Sequence, residues 1–110
     1  MLISELPAPD IPRFLRVTSI MTTTVLLEWQ PPADLSVPVN VYSIVLSELQ
    51  FGLGNITQTT SLSSRQITGL EEYNNYTCEL RALSIFGIQS EPVILEFTTL
   101  EAGLQNNSFS

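Results

Sequence analysis

Residues 69–82 read GLEEYNNYTCELRA, and this stretch decides the fold class. Leu70 lies six residues before Tyr76, and Tyr76 opens a segment in which inward and outward positions alternate. In a β-sandwich, this spacing puts the tyrosine ring in the core while its hydroxyl bonds to backbone a few residues upstream, where the chain crosses between the sheets. The stretch therefore predicts a two-sheet sandwich with Leu70, Tyr76 and Cys78 in its core.

Two further segments alternate with the period of two that half-buried strands show. Residues 24–30 place Trp29 on their apolar face and end at a pair of prolines. Residues 39–48 are rich in β-branched and aromatic side chains, with Tyr42 on one face. Because both faces of the second segment carry apolar residues, we expect it to be a central strand.

The remaining strands are shorter or weaker in pattern. Residues 14–20 predict a first strand and residues 93–97 a last one, while residues 49–65 suit short edge strands and exposed turns. No segment shows a sustained helical period, so we expect no substantial helix. About seven short strands result, the number that a two-sheet sandwich needs. We predict an all-β fold, a seven-stranded antiparallel β-sandwich of the immunoglobulin-like kind.

Composition limits the size and the partners of the chain. With 110 residues, of which 44% are apolar, it can bury one core. The chain has eleven acidic residues and only four basic ones, all arginine. Because the sequence offers no basic patch to bind phosphate backbones, we expect no nucleic-acid partner. No apolar run approaches the roughly 20 residues that span a bilayer, and we expect no direct membrane contact by this segment.

Short patterns mark successive parts of the chain: Pro12 to Val17, Leu27-x-Trp29-x-Pro31-Pro32, Tyr42, Gly69-Leu70 with Tyr76 and Ala82, Gly87-x-x-Ser90-x-Pro92, and Phe97-Thr98-Thr99. In this order and spacing they resemble a fibronectin type III domain over residues 9–100. Residues 1–8 are then an N-terminal linker, and residues 101–110 a C-terminal linker or disordered tail. Two departures concern loops only: Glu72 stands where the family often has proline, and residues 49–64 show no clear family pattern.

Three conspicuous side chains have structural explanations. Trp29 and Tyr76 are aromatics of the kind favoured at interfaces, but both lie on inward faces, so we assign them to the core. Cys78 has no partner cysteine in the chain. Cys78 is best interpreted as a small buried core residue, and the alternative is a reactive or intermolecularly paired thiol.

Catalytic and metal chemistry find little support. The chain has no histidine, and one cysteine cannot form a cysteine-rich zinc site. Glu71 and Glu72 are neighbours on a predicted turn and point different ways, which does not suit a carboxylate pair. Gly52 and Gly54 lack the rest of a phosphate-binding loop. We therefore expect no enzyme activity, no cofactor and no metal.

Three N-glycosylation acceptor sequences occur, at Asn55, Asn75 and Asn106. Asn55 is expected in a loop and Asn75 at the corner, where a glycan would project into water. Asn106 lies in the polar tail. Because one or two such sequences would arise by chance, the third is a modest argument for an extracellular protein.

Exposed apolar loop residues are the candidates for binding. Leu35 lies in the loop after the second strand, and Phe86 and Ile88 lie in the turn before the last strand; these loops should meet at one end of the sandwich. Phe51 and Leu53 form a second candidate near an edge strand, where another chain could pair. The competing explanation is that these side chains pack under their own loops or against a neighbouring domain.

The resemblance implies a non-catalytic module of a multidomain cell-surface receptor or matrix/adhesion protein, which spaces its neighbours and contacts proteins. Its partners would be neighbouring domains of the same chain and a protein ligand or receptor. Two alternatives remain open. One is an accessory domain of a larger enzyme, such as a receptor tyrosine phosphatase or kinase ectodomain or a secreted carbohydrate-active enzyme. The other is an intracellular structural repeat of a muscle or cytoskeletal protein, for which the acceptor sequences would be accidental.

Overall fold

The computed structural model describes residues 6–50, 52 and 54–102 of the chain. Within these residues all regular structure is β. The seven strands are β1 (Arg13–Ile20), β2 (Val25–Gln30), β3 (Val41–Glu48), β4 (Asn55–Thr60), β5 (Ser64–Ile67), β6 (Asn75–Leu83) and β7 (Val93–Thr98).

The strands form two sheets. One has three strands in the order β1-β2-β5, and the other has four in the order β4-β3-β6-β7. Every pairing is antiparallel. The predicted all-β, two-sheet sandwich is confirmed. β3 lies between β4 and β6 and is therefore a central strand. The part of the chain after β3, in which the alternation of apolar residues is weak, forms two edge strands, β4 in one sheet and β5 in the other.

The core lies between the sheets and consists of the inward residues of each alternating strand. On β3, for example, Tyr42, Ile44 and Leu46 are buried while the residues between them are partly exposed. The buried apolar side chains are Val25, Leu27, Trp29, Tyr42, Ile44, Leu46, Ile67, Leu70, Tyr76, Cys78, Leu80, Ala82 and Phe97.

The chain turns from one sheet to the other between β5 and β6 through a hydrogen-bonded corner. The backbone N–H of Glu71 donates to the hydroxyl of Tyr76 over 2.8 Å. Thr99 donates from its hydroxyl to the Glu71 carbonyl at 2.7 Å and accepts from the Asn74 N–H at 3.0 Å. Gly69 has φ +78°, a conformation that residues with a side chain rarely adopt. The corner is thus tied to the end of β7.

Aromatic side chains pack in pairs in the core, one pair between the two sheets and one within the four-stranded sheet. Trp29 of β2 packs edge-to-face on Tyr42 of β3, with ring centroids 5.4 Å apart. Tyr76 stacks on Phe97 with centroids 5.6 Å apart. The indole Nε1 of Trp29 is buried and has no hydrogen-bond partner among the described residues.

Cys78 is completely buried on β6. Burial, together with the charge of neighbouring Glu79, raises the pKa of its thiol from 9.0 to about 12. Because the thiolate is the reactive form of cysteine, this environment makes the side chain inert at neutral pH.

Candidate interaction surface

The loops that carry the candidate binding residues meet at one end of the sandwich. They are the β2–β3 loop, residues 31–40, and the β6–β7 turn, residues 84–92. The described N-terminal segment reaches the same end, since Pro7 contributes to a groove between the two loops. The corner and the β1–β2 turn lie at the other end, joined by a bond from the Leu70 N–H to the Thr23 carbonyl at 3.0 Å.

The β2–β3 loop is shaped by a polar side chain acting on its own backbone. Asp34 accepts a 2.9 Å hydrogen bond from the Ser36 N–H and a second bond from the Ser36 hydroxyl. These bonds, that from the hydroxyl first, lower the pKa of the Asp34 carboxyl. Such local bonding is how aspartate favours turns over strands. It leaves Leu35, between the two residues, 54% exposed.

The β6–β7 turn is organised by Ser84, which is buried. The Ser84 hydroxyl accepts from the N–H groups of Phe86 and Ile88 at 3.2 and 3.3 Å. The Ser84 N–H donates to the Ile88 carbonyl at 3.0 Å. Gly87, at φ +79°, completes the reversal. With its polar groups satisfied internally, the turn holds Ile85 and Phe86 outward, 71% and 66% exposed.

These two loops enclose a shallow apolar groove of about 210 Å³. We call it the apolar groove, and its residues are Pro7, Ser36, Val37, Pro38, Ser84, Ile85 and Phe86. None of them carries a charge. Apolar surface of this kind, held open by a rigid turn, is suited to another protein surface rather than to a charged small molecule.

A second cavity of about 310 Å³ adjoins the first, and Pro38 contributes to both. Its lining residues are Pro31, Leu35, Pro38, Val39, Asn40, Tyr42, Ser61 and Ser63. It is more polar than the apolar groove and extends toward the β4–β5 turn. Tyr42, the most buried of the set by its place in the core, has its pKa raised by desolvation.

The predicted interaction residues therefore separate in space. Phe86 lines the apolar groove, Leu35 lines the adjoining cavity, and Ile88 is half-buried and lines neither. Phe51 and Leu53 lie outside the described residues. Ile85 was missed by the sequence analysis, although its apolar character next to Phe86 in a turn was the available signal.

Glu48 was also missed, and within the described part of the chain it is the one acidic side chain among the buried polar residues. Its carboxylate accepts from the Gln50 N–H at 2.8 Å and from the Asn74 amide at 3.2 Å. The alternation of β3 places residue 48 inward, so period-two counting would have found it. These bonds stabilise the corner end of the sandwich, where a burial cost is offset by hydrogen bonding.

Among residues 6–50, 52 and 54–102, no three His, Cys, Asp or Glu side chains come together as a candidate metal site. No helix capable of crossing a bilayer occurs in the same described residues.

The two-sheet topology, the tyrosine corner and the loop ends together define an immunoglobulin-like β-sandwich. Comparison with protein families refines that class: the model of the fibronectin type III domain matches residues 10–96. The chain belongs to the fibronectin type III family, as its sequence resemblance predicted.

Individual relatives are more distant. Over 83 residues the chain is 29% identical to netrin receptor DCC of Rattus norvegicus and 28% identical to that of Homo sapiens. The match covers 76% of this chain and 6% of each receptor, so the chain spans a small part of the relatives it matches.

Solved structures agree on the fold. The twitchin kinase region of C. elegans matches with 29% identity and a TM-score of 0.72, over 86% of this chain and 17% of that one. The fibronectin type III domain of human fibronectin type III domain containing protein 3 matches with a TM-score of 0.74, over 96% of this chain and 99% of that one. At 21% identity the latter shows the fold alone.

Proposed function

We propose that this domain is a non-catalytic module of a multidomain extracellular receptor or matrix/adhesion protein, serving as a spacer and as a protein–protein contact. The observation that carries the proposal is the 29% identity to a segment of netrin receptor DCC over 83 residues. Family membership supports the absence of catalysis, since domains of this family are typically non-catalytic. Fold alone does not assign a role, and the contact surface must therefore be argued separately.

The apolar groove is the proposed contact surface. Ile85 and Phe86 are largely exposed, and the hydrogen bonds around Ser84 hold their backbone rigidly. Ordering such a turn on binding costs little conformational entropy because it is already ordered. Pro7 lies in the groove, where the chain approaches the sandwich, so a neighbouring domain of the same chain is the first candidate partner and a separate protein ligand the second.

A second candidate is an accessory domain of a larger enzyme, of which a receptor tyrosine kinase or phosphatase is one form. The similarity to the twitchin kinase region favours it, because that matched chain holds a fibronectin domain and a kinase. An intracellular structural repeat is the remaining alternative. The accessory-domain alternative differs from the leading proposal because the same protein would also contain a catalytic domain. The intracellular repeat differs from it in cellular location.

The proposed extracellular location is tested on the parent protein, meaning the longer protein that contains this domain, in the cells that produce it. An antibody raised against this 110-residue chain is applied to intact cells and, in parallel, to permeabilised cells, with a cytosolic protein as the control for leakage. Staining of intact cells is the expected result. Staining that needs permeabilisation would overturn the extracellular assignment and leave the intracellular repeat.

The contact surface is tested by hydrogen exchange. We expect the backbone of residues 84–88 to exchange more slowly in the parent protein than in the isolated domain, because a partner covers the apolar groove. Phe86→Ser in the parent should restore faster exchange. Ile94→Ser is the matched control, since Ile94 is 57% exposed on β7 away from the groove. Equal exchange in the parent and in the isolated domain would contradict the proposal.

A further inference from the structure

Two acceptor sequences that lie far apart in the chain meet on one face of the four-stranded sheet. Asn55 of β4 is paired with Ser47 of β3, and Ser47 is paired on its other side with Thr77 of β6. Asn55 and Thr77 thus lie in one row across three strands, about 10 Å apart by the usual strand spacing. Asn75 is two residues along β6 from Thr77 on the same face, which puts it about 12 Å from Asn55.

Both acceptor sequences point away from the core. On β4, Asn55 and Thr57 are exposed while Ile56 between them packs toward the core. On β6, Asn75 is exposed and Thr77 is partly exposed, while Tyr76 between them is buried. Because glycosylation requires the asparagine and the hydroxyl residue two positions on, strand alternation places both requirements on the outer face at each site.

Asn75 is also oriented by a neighbour. Its side-chain oxygen accepts a hydrogen bond from the Thr98 hydroxyl on β7. This hydrogen bond orients the Asn75 side-chain oxygen toward β7. An N-linked glycan is attached to Nδ2, which is the other terminal atom of the same amide group. Asn74, the preceding residue, provides the contrast: it is buried, donates to Glu48 and begins no acceptor sequence.

Most of the side chains that flank the two asparagines on this face are small and polar, namely Ser47, Thr57, Thr77 and Thr98. Two longer side chains border the Asn75 site: Glu96 lies opposite Thr77, and exposed Leu49 donates its N–H to the Asn75 carbonyl at 2.9 Å. β4 is moreover an edge strand without a charged residue or a proline, the devices that natural sheets use to prevent pairing with another chain. A glycan on the first residue of β4 would supply the missing protection.

We propose that Asn55 and Asn75 both carry N-linked glycans, and that the two glycans together cover this half of the outer sheet face and the β4 edge. In the transfer step, Nδ2 forms a bond to the anomeric carbon of a lipid-pyrophosphate-linked oligosaccharide. The bond from that carbon to the pyrophosphate breaks, the lipid pyrophosphate leaves, and the amide gives up one proton. This inference rests on the proposed extracellular function.

The glycan pair would also direct partners to the apolar groove. Ser47 lies six residues along β3 from Val41, or about 20 Å, and Val41 is at the end of the strand nearest the groove. Glycans at the corner-proximal end therefore leave the groove open. Asn106, the third acceptor sequence, lies outside the described residues.

The fraction of Asn55 and Asn75 that carries a glycan is measured on the whole chain secreted from mammalian cells. Its intact mass is compared before and after peptide N-glycosidase treatment. Enzymatic release converts each occupied asparagine to aspartate, and peptide mapping then locates the site. Occupancy of both Asn55 and Asn75 is expected. A chain secreted with either one unmodified would overturn the proposal of a paired cover.

Isosteric variants assign each glycan without disturbing the strands. Thr57→Val should remove only the glycan at Asn55, and Thr77→Val only the one at Asn75, because valine keeps the β-branched shape but lacks the hydroxyl. Thr59→Val, on the same face of β4 but outside any acceptor sequence, should leave both glycans in place. Thr57→Ser keeps a hydroxyl and should retain its glycan, which separates a folding defect from a lost acceptor.

The covering role has its own measurement. Ser47→Cys puts a thiol between the two glycans, and its labelling by a bulky maleimide should be slow in the glycosylated protein and fast after glycan release. Phe86→Cys, in the apolar groove, should label at one rate in both forms, and buried Cys78 does not compete. Equal labelling of the Ser47→Cys variant before and after release would refute the cover.

The outcomes also separate this inference from the proposed function. Secretion from an expression host tests whether the two sites accept glycans regardless of where the parent protein resides. An intracellular parent would refute the proposed function even if the secreted chain were glycosylated. A surface-exposed parent whose sites stay unmodified would refute the inference alone.

Discussion

The buried thiol of Cys78 predicts a specific loss of stability at alkaline pH. Burial first, and the Glu79 charge second, raise its pKa from 9.0 to about 12 in the folded chain. As the pH rises through 9, the unfolded chain loses the thiol proton while the folded chain retains it. Deprotonation therefore favours the unfolded state, and the free energy of unfolding should fall between pH 9 and about pH 12.

The magnitude follows from the two pKa values. Each tenfold difference in proton affinity is about 1.4 kcal/mol, so Cys78 should lower the free energy of unfolding by about 2 kcal/mol at about pH 10.5, relative to neutral pH. The full difference, about 4 kcal/mol, would be reached near pH 12. Marginal stabilities of about 5–15 kcal/mol make the smaller effect readily measurable.

The assay compares wild-type protein with Cys78→Ala by urea unfolding across this pH range, followed by the fluorescence of Trp29, the only tryptophan. The variant should be less stable at neutral pH, since it leaves a small cavity, and the two curves should converge as the pH rises. Tyrosine ionisation affects both proteins and cancels in the difference. Parallel curves from neutral pH to about pH 10.5 would refute the assignment of a shielded, high-pKa thiol.

Three substitutions test other parts of the fold by urea denaturation. Tyr76→Phe removes the acceptor of the Glu71 N–H and should lower the free energy of unfolding by about 1 kcal/mol; an unchanged midpoint would show that the corner bond is dispensable. Gly69→Ala meets no neighbouring atom, but it forces a side chain into a left-handed conformation and should cost about 1 kcal/mol; a stabilised variant would contradict that strain. Glu28→Gln breaks a half-exposed ion pair with Arg16 and should change stability by less than about 1 kcal/mol at any salt concentration; a larger, salt-sensitive loss would mean that the pair is shielded from solvent.

The class of fold could be predicted because its signals are local. Alternation along residues 24–30 and 39–48 shows which side chains face inward whatever strand lies beside them. The spacing from Leu70 to Tyr76 likewise describes a corner that is contained within a few residues. In the structure, the Tyr76 hydroxyl indeed bonds to the backbone of Glu71.

Strand partners and irregularities could not be predicted in the same way. β4 and β5 are only three residues apart in sequence, yet they lie in different sheets, because each pairs with a strand distant along the chain. β1 carries register shifts against β2, and Phe14 adopts φ 58° there. A non-glycine residue in that conformation follows from the pairing geometry and leaves no mark in the composition of the strand.

By itself, then, the sequence determined that this chain is a fibronectin type III sandwich, which residues alternate inward, and that Leu35 and Phe86 belong to loops at one end. Only the tertiary structure decided that these two side chains line separate cavities, that Ile85 shares the apolar groove, and that two acceptor sequences 20 residues apart occupy one sheet face. The physical reason is that side-chain direction along a strand follows from local geometry. Which surfaces meet depends instead on the register between strands, and that register is set by contacts between residues far apart in the chain.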